Sequence, residues 1–208
     1  MLNLDSPWKI VAIVVAVGLL RTLYTVWQQS PYRALMLELC DSLLIAFALV
    51  FFLIKPFVVA AFYIPSGSMR PTLLERDRVL VNKFVYRLSE PRRQDIIVFR
   101  APREATMGGQ QKDFIKRLIG LPGERIEIHS YDGVYINGVK LGEPYIGPLQ
   151  TPDYDYGPNE VPAGHYFVMG DNRRDSNDSH RWGFLDRHNV LGKAMVIFWP
   201  PGRIALAR

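Results

Sequence analysis

Two long hydrophobic runs stand near the start of the chain, and the first predicts a membrane-spanning helix. Residues Trp8–Trp27 carry only two charges, Lys9 and Arg21. A helix of this length extends about 30 Å, the thickness of a bilayer's hydrocarbon core, and tryptophan at both ends suits its interfaces. Arg21 must then snorkel or face a neighbouring helix. A cleaved signal peptide is the alternative, but no small-residue cleavage site follows the run.

The second hydrophobic run, Ser42–Ile64, predicts another spanning helix over about residues 40–60. Lys55 and Pro56 then fall near its end, where a lysine can snorkel and a proline kink is tolerated. A short link joins the two runs, and the positive charges near it favour a cytoplasmic position for the link. We therefore expect residues 1–64 to form a membrane anchor and the rest of the chain to lie outside the cytoplasm. A buried core helix is the alternative for the second run.

After Ile64 the pattern changes to short runs rich in Val, Ile, Phe and Tyr, separated by turn residues such as Asp132-Gly133 and Asn137-Gly138. This pattern is typical of antiparallel strands joined by hairpins. Residues 65–208 are therefore predicted to form a mostly β domain without a long helix. The stretch Gly147–Pro162 is predicted to be a loop. The predicted strands are Val79–Tyr86, Ile96–Phe99, Phe114–Ile119, Arg125–Ile128, Val134–Val139, Tyr166–Met169 and Ala194–Trp199.

The composition excludes several classes of site. The chain has 208 residues and a formal net charge of +5, a balance that fits nucleic acid or anionic lipid but is too mild to choose between them. Its single cysteine, Cys40, excludes an internal disulfide framework and a cysteine-based zinc site. The four histidines are scattered, and the chain has no phosphate-binding glycine loop, C-x-x-C or G-x-S-x-G motif. These patterns predict neither a metal site nor a cofactor.

The segment Pro65–Pro71, which we call the serine loop, is the strongest candidate for a reactive segment. Prolines on both sides of Ser-Gly-Ser favour a stiff, bent loop, which could present a serine as a nucleophile. A linker leaving the membrane would have a similar composition. A serine nucleophile needs a base, and a lysine can serve if burial lowers its pKa from about 10.4 by roughly two to three units. Lys116 and Lys83, each inside a hydrophobic run, are the candidate bases.

Gly170–Ser179, which we call the polar loop, is rich in turn-forming residues and would by itself be a solvated loop or part of a site. It belongs to a set of four segments that occur in this order: Ile64–Leu73, Asp95–Phe99, Phe114–Glu124 and Gly170–Phe184. Together they resemble the bacterial type I signal peptidase (leader peptidase) family of Ser/Lys proteases. The resemblance implies a membrane-bound serine endopeptidase that removes N-terminal signal peptides from translocated preproteins after a small-x-small sequence, typically Ala-x-Ala.

The resemblance also implies roles for individual residues. Ser68 would be the nucleophile and Lys116 the general base, uncharged in the resting enzyme. The backbone N–H of Ser68 and the hydroxyl of Ser66 would form the oxyanion hole, and Ser176 would hydrogen-bond to the lysine and orient it. No metal or organic cofactor is implied.

Further residues would support these groups. Asp178 and Arg174 or Arg173 would hold the polar loop beside the reactive pair. The family usually has arginine after Asp-Ser, whereas this chain has His180 there and Arg181 one place later. The ion pair normally made by that arginine is therefore in question.

Substrate binding would need an edge strand that pairs with the extended substrate and two shallow pockets that reject large side chains. By the same resemblance Asp113, Phe114 and Ile115 form that strand, and Ile64, Leu73 and Ile115 line the pockets. The implied partners are preprotein signal peptides and the lipid bilayer, with no nucleic acid. The implied location is the bacterial cytoplasmic (inner) membrane, with the catalytic domain on its extracytoplasmic side.

Two other functions fit parts of the sequence. A self-cleaving repressor protease shares the Ser/Lys pair but would carry a DNA-binding module in place of the two hydrophobic runs. A membrane-anchored β-domain that only binds envelope partners would need neither Ser68 nor a lysine of unusual pKa.

Overall fold

The computed structural model describes residues 7–26, 32–50, 59–106 and 110–208. The chain divides into two compact units, Met1–Val58 and Val59–Arg208. The first unit contains helices α1 (Pro7–Val26) and α2 (Arg33–Ala48). Arg21 of α1 pairs with Asp41 of α2, with its Nε atom 2.5 Å from Oδ1. Arg21 therefore faces a neighbouring helix, which is one of the two placements that the sequence allows.

Helices occupy much of the two hydrophobic runs, but their membrane-spanning character stays a prediction. No helix within the described residues has the length and apolar content needed to cross a membrane. Trp27 and residues 51–58, which belong to the predicted spans 8–27 and 40–60, lie outside the described residues.

The regular structure of the second unit is mainly antiparallel β-strand, as the sequence predicts. One sheet has the strand order β1-β2-β11-β3-β4-β9-β10, with β12 also paired to β11, and a smaller sheet has the order β7-β6-β5-β8. The only α-helices described in this unit are single turns, α3 (Val85–Leu88) and α4 (Ser179–Trp182). The strands are β1 (Val59–Tyr63), β2 (Arg78–Asn82), β3 (Ile96–Arg100), β4 (Asp113–Gly120), β5 (Arg125–His129), β6 (Gly133–Ile136), β7 (Val139–Lys140), β8 (Tyr156–Glu160), β9 (His165–Met169), β10 (Leu185–Asp186), β11 (Val190–Trp199) and β12 (Ala205–Leu206).

Side-chain alternation explains how these strands bury their apolar faces. Ile126 and Ile128 of β5 are buried, Arg125 and His129 on either side of them are exposed, and Glu127 between them is partly buried, which is the period of a half-buried strand. Strand β3 is buried at four consecutive positions from Ile96, as expected for a central strand covered on both faces. The hairpin predicted at Asp132-Gly133 is confirmed, since β5 and β6 pair antiparallel around it.

Four predicted elements need correction. The predicted strand Val134–Val139 is interrupted by the Asn137-Gly138 turn and forms parts of two paired strands, β6 and β7. Residues 59 and 60, predicted as the end of the second spanning helix, belong to β1, which pairs with β2 along its whole length. Strand β8 lies inside the predicted loop Gly147–Pro162 and pairs with β5. The predicted strand Val79–Tyr86 ends at Asn82 because the Asn82 side chain accepts hydrogen bonds from the N–H groups of Phe84 and Val85 and starts the α3 turn.

Candidate active site

Ser68 and Lys116 come together from two distant segments. Ser68 lies in a single turn of 3-10 helix, Gly67–Met69, and the fully buried Met69 side chain anchors that turn. Lys116 lies in the middle of β4, opposite Ile97 of β3. The Nζ atom of Lys116 is 2.6 Å from Ser68 Oγ. At this distance the amine and the hydroxyl can exchange a proton directly.

The environment of Lys116 makes its neutral form accessible. The residue is only 4% exposed, and this burial lowers its pKa from 10.5 to about 8. The carboxylates of Asp178, Asp171 and Asp175 act in the opposite direction, because negative charge favours the ammonium form. Burial outweighs them, so a usable fraction of the amine, roughly a tenth, is neutral at pH 7.

A cavity of about 380 Å³ opens beside this pair. The hydroxyl of Ser66 lies on its wall, and Ser66 Oγ is 3.5 Å from Ser68 Oγ. Two hydroxyls and the lysine amine therefore face one space. The cavity is lined by the first four residues of the serine loop and by Lys112, Asp113, Phe114, Ile115, Lys116, Asp175 and Asn177.

The first half of β4 has an unpaired backbone edge beside this cavity. Residues from Asp113 to Arg117 pair with β3 on one side. On the other side β9 pairs only from Arg117 onward, and no other described strand takes the place next to Asp113–Lys116. An extended peptide lying in the cavity could add to this edge as a further strand.

Two residues predicted to line the substrate pockets lie beneath the cavity surface. Ile64 and Leu73 are 2% and 0% exposed, and both pack in a core cluster against which Ile115 also packs. Neither residue lines the cavity, whereas Ile115 does. Ile64 and Leu73 therefore support its wall from within the core.

The polar loop fixes the backbone of Ser68 by direct contact. The Asn172 N–H donates to Ser68 O at 3.0 Å, and Asn172 Nδ2 donates to Gly67 O at 3.2 Å. Gly170 leaves no room for a side chain here, since a Cβ atom would lie 2.4 Å from Ser68 O and 2.3 Å from Ser176 Oγ. The close approach of the two loops therefore requires glycine at position 170.

A buried ion pair joins the polar loop to β4. Arg117 donates from Nε and Nη2 to the two carboxylate oxygens of Asp171 at 2.8 and 2.7 Å, and both side chains are almost completely buried. Thr72 Oγ1 donates to the same carboxylate at 2.5 Å. The Tyr145 ring covers the guanidinium, whose Cζ is 3.7 Å from the ring centroid. One carboxylate thus connects β4, the polar loop and the residue after the serine loop.

A second buried carboxylate, Asp178, holds the start of the polar loop. Its Oδ2 accepts from the Gly170 N–H at 2.9 Å, and its Oδ1 lies 2.6 Å from Nδ1 of His180. Burial alone would raise the pKa of Asp178, but these hydrogen bonds hold it below its ordinary value. His180, which stands where the family usually has arginine, therefore contacts this carboxylate, and Arg181 does not.

Ser176 is buried close to these groups without the hydrogen bond predicted for it. Its hydroxyl helps to keep the pKa of Asp178 low, but Ser176 Oγ makes no hydrogen bond of normal geometry within the described residues. The predicted bond to Lys116 is therefore not formed in this structure.

Arg173, not Arg174, has its side chain inside the polar loop. Arg173 is fully buried, donates from Nε to Gly170 O at 3.0 Å and forms a two-pronged ion pair with Glu143. Arg174 is exposed and contacts Thr151 O and the face of Tyr131. Glu143 explains the difference, because it supplies a carboxylate for the inner guanidinium.

The alternative base, Lys83, lies just beyond β2 and is only partly buried.

Sequence reasoning did not identify Arg117 or Asp171. The available signal was that Lys116 and Arg117 are neighbours in an apolar strand, whose successive side chains point to opposite faces. If both faces of this strand are covered, the Arg117 guanidinium is buried as well as the Lys116 amine, and a buried guanidinium needs a buried carboxylate as its partner.

A larger groove of about 790 Å³ contains neither serine nor threonine nor cysteine, and its one lysine, Lys193, is paired with Asp95. Among the described residues, no group of three His, Cys, Asp or Glu side chains could hold a metal ion. The Ser68–Lys116 cavity is therefore the candidate active site.

Comparisons with known proteins identify the family. Residues 36–199 match the family model of signal peptidase, peptidase S26. The chain is 46% identical over 180 residues to a probable signal peptidase I-2 of Synechocystis sp., covering 86% of this chain and 80% of that protein. It is 49% identical over 154 residues to a signal peptidase I of Leptolyngbya laminosa, covering 73% and 74% of the two chains.

More distant relatives agree. A signal peptidase I of Bacillus amyloliquefaciens is 34% identical over 182 residues, which cover 83% of this chain and 93% of that protein. A crystal structure of a signal peptidase I from Enterococcus faecalis is 38% identical and matches 50% of this chain and 97% of that chain, with a TM-score of 0.43. The assignment rests on the sequence matches. The chain belongs to the signal peptidase family, peptidase S26, and is an enzyme of the signal peptidase I type.

Proposed function

We propose that this chain cleaves preproteins after a small-x-small site, with Ser68 as the nucleophile and Lys116 as the general base. The observation that carries the proposal is the 2.6 Å distance between Ser68 Oγ and the amine of a buried lysine whose pKa is about 8. A serine needs a base to become nucleophilic, and a lysine can be that base only when it is neutral. Removal of signal peptides by a serine protease is the activity that the family relationship gives.

The mechanism has two acyl-transfer steps. Lys116 takes the Ser68 proton while Ser68 Oγ attacks the scissile carbonyl carbon, and the tetrahedral intermediate forms. Lys116 then protonates the leaving amine, which frees the mature protein and leaves the signal peptide esterified to Ser68. A water molecule that gives its proton to Lys116 hydrolyses this ester and restores the serine.

The oxyanion of each tetrahedral intermediate needs donors placed before the reaction. The Ser66 hydroxyl faces the cavity close to Ser68 Oγ, and we propose that it acts together with the Ser68 N–H. Loss of one such donor typically costs about 3–4 kcal/mol of transition-state stabilisation. Ser176 is proposed to orient Lys116 once substrate occupies the cavity.

Substrate recognition uses the free edge of β4. The residues before the cleavage site would pair with the backbone of Asp113–Ile115, so that alternate side chains enter the cavity. Limited space in the cavity would then reject large side chains at two positions and admit alanine. Phe114 and Ile115 supply the apolar surface for these side chains.

The location of the enzyme follows from its substrates and its hydrophobic runs. We propose that residues 1–58 anchor the chain in the bacterial cytoplasmic membrane and that the β unit, which begins at Val59, lies on the extracytoplasmic side. An anchor would hold the site near the bilayer, where the apolar part of a signal peptide also lies, and so raise the effective concentration of substrate.

Cleavage of an Ala-x-Ala preprotein by the full chain in detergent and lipid tests the proposal. We expect product from the wild type and from Lys83→Ala, the matched lysine control, and none from Ser68→Ala or Lys116→Ala. The product's new N-terminus must follow the small-x-small sequence. Normal cleavage by either Ser68→Ala or Lys116→Ala would remove that residue from the mechanism.

A further inference from the structure

The charge of Asp178 has an unusual partner in this chain. Asp178 is completely buried, and within the described residues the one basic side chain within ion-pair distance of it is His180. The His180 ring is itself mostly covered, with 11% of its side chain exposed. It stacks on Tyr154, with ring centroids 4.1 Å apart and planes at 18°. The packing holds the imidazole in one orientation against the carboxylate.

The other side of the ring contacts Arg181. The Nε atom of Arg181 lies 3.2 Å from His180 Nε2 in hydrogen-bond geometry. A guanidinium N–H can only donate, so His180 Nε2 must be the acceptor and carry no proton. The ring proton therefore lies on Nδ1, which donates to Asp178 Oδ1. In this arrangement the imidazole bridges a guanidinium to a buried carboxylate.

This bridge continues to the nucleophile. Asp178 accepts from the Gly170 N–H, and Gly170 packs so closely against the Ser68 carbonyl that a Cβ atom would not fit. A displacement of Asp178 would therefore move Gly170 and with it the backbone that carries Ser68. An error of about 1 Å in such a site can cost a hundredfold in rate.

We propose that His180 is a positioning residue for signal-peptide cleavage, held by Arg181 as a neutral Nδ1–H imidazole that orders Asp178, Gly170 and the Ser68 backbone. Arg181 thus acts on the carboxylate through the ring rather than by direct contact. The effect on cleavage rests on the proposed function, whereas the protonation state of the ring does not.

The chain contains a matched comparison for this arrangement. His188 also follows an aspartate by two residues, and its Nδ1 lies 2.9 Å from Asp186 Oδ1. Its side chain, however, is 95% exposed, and no arginine is bonded to its Nε2 in the described residues. The two histidines share a local motif and differ in burial and in the arginine.

The protonation state can be read directly by nitrogen NMR of the full chain in detergent, with only histidine labelled. We expect His180 to show a protonated Nδ1 and an unprotonated Nε2 at pH 7, and the signals lost in His180→Asn and in His188→Asn assign the two rings. In Arg181→Ala, which removes the donor at Nε2, the ring should no longer be confined to the Nδ1–H form. A charged ring or an Nε2–H tautomer in the wild type at pH 7 would overturn the inference.

Cleavage kinetics test the positioning role. In His180→Ala we expect kcat to fall at least about tenfold with little change in KM, since the substrate-binding edge is untouched. An asparagine amide can replace the Nδ1–H donor, so His180→Asn should recover most of the rate, and His188→Ala should match the wild type. The role fails if folded His180→Ala keeps the wild-type rate, or if His180→Asn folds but is no faster than His180→Ala. Absence of serine-dependent cleavage in the wild type would refute the proposed function and leave the NMR result standing.

Discussion

Replacing Lys116 by methionine should abolish cleavage and at the same time stabilise the β unit at neutral pH. The amine is buried, and its pKa falls from 10.5 to about 8 on folding. Below pH 8 the lysine is charged in both the folded and the unfolded chain, so the folded state bears the full cost of burying the charge. Methionine fills a similar volume without a charge, which removes that cost.

The magnitude follows from the change in pKa. A fall of 2.5 units, from 10.5 to about 8, corresponds to about 3 kcal/mol of stability missing at pH 7. Loss of the Lys116–Ser68 hydrogen bond destabilises the variant by about 1 kcal/mol. The net gain in the free energy of unfolding is then about 2 kcal/mol. For a unit of this size the gain raises Tm by roughly 4–8 °C.

The pH dependence gives the sharper test. Between pH 8 and pH 10.5 the unfolded chain binds more protons at this position than the folded chain, so wild-type stability rises with pH. The advantage of Lys116→Met should therefore be largest at pH 7 and shrink towards pH 10. Thermal unfolding of both proteins at the two pH values measures it, with Lys83→Met as the lysine control. A Tm at pH 7 that is unchanged or lower, or a gain that does not shrink by pH 10, would refute the reasoning.

Two further predictions concern the rate. Because neutral Lys116 is required, kcat/KM should rise with pH to a plateau, with a midpoint near pH 8. Asp175→Asn should move that midpoint to lower pH, because it removes a carboxylate that favours the charged amine. A midpoint that moves to higher pH would contradict this reasoning. Gly170→Ala should lose at least about tenfold in kcat, because its Cβ would collide with Ser68 O and Ser176 Oγ, whereas Gly202→Ala, where nothing lies within 4 Å, should be as active as the wild type.

The reactive pair could be anticipated from residue chemistry. A serine held in a stiff loop needs a base, and only a buried lysine has a lowered pKa, which favoured Lys116 inside an apolar strand. The structure meets both conditions of distance and burial. Alternation alone did not distinguish Lys116 from Lys83, because it leaves either side chain free to point to solvent. The choice depends on which faces of the sheet are covered.

The parts that could not be anticipated depend on contacts distant in sequence. Arg173 is buried because Glu143, thirty residues earlier, supplies its carboxylate, and no local pattern separates it from Arg174. Strand β1 is as apolar as a membrane helix, and its pairing with β2 decides its conformation. Strand β8 contains glycine and proline and is recognisable as a strand through its partner β5.

The adjacency of Lys116 and Arg117 limits how β4 can change during evolution. The two residues serve opposite faces of the same strand, one at the cavity and one in the ion pair with Asp171. A single-residue insertion or deletion before them would exchange the two faces, because side-chain direction alternates with every position. The amine would then leave Ser68 while the guanidinium lost its carboxylate, so catalysis and folding would fail in one step. Sequence drift in this strand is therefore confined to substitutions that preserve its register with β3, and length variation must be absorbed in the connections beyond its ends.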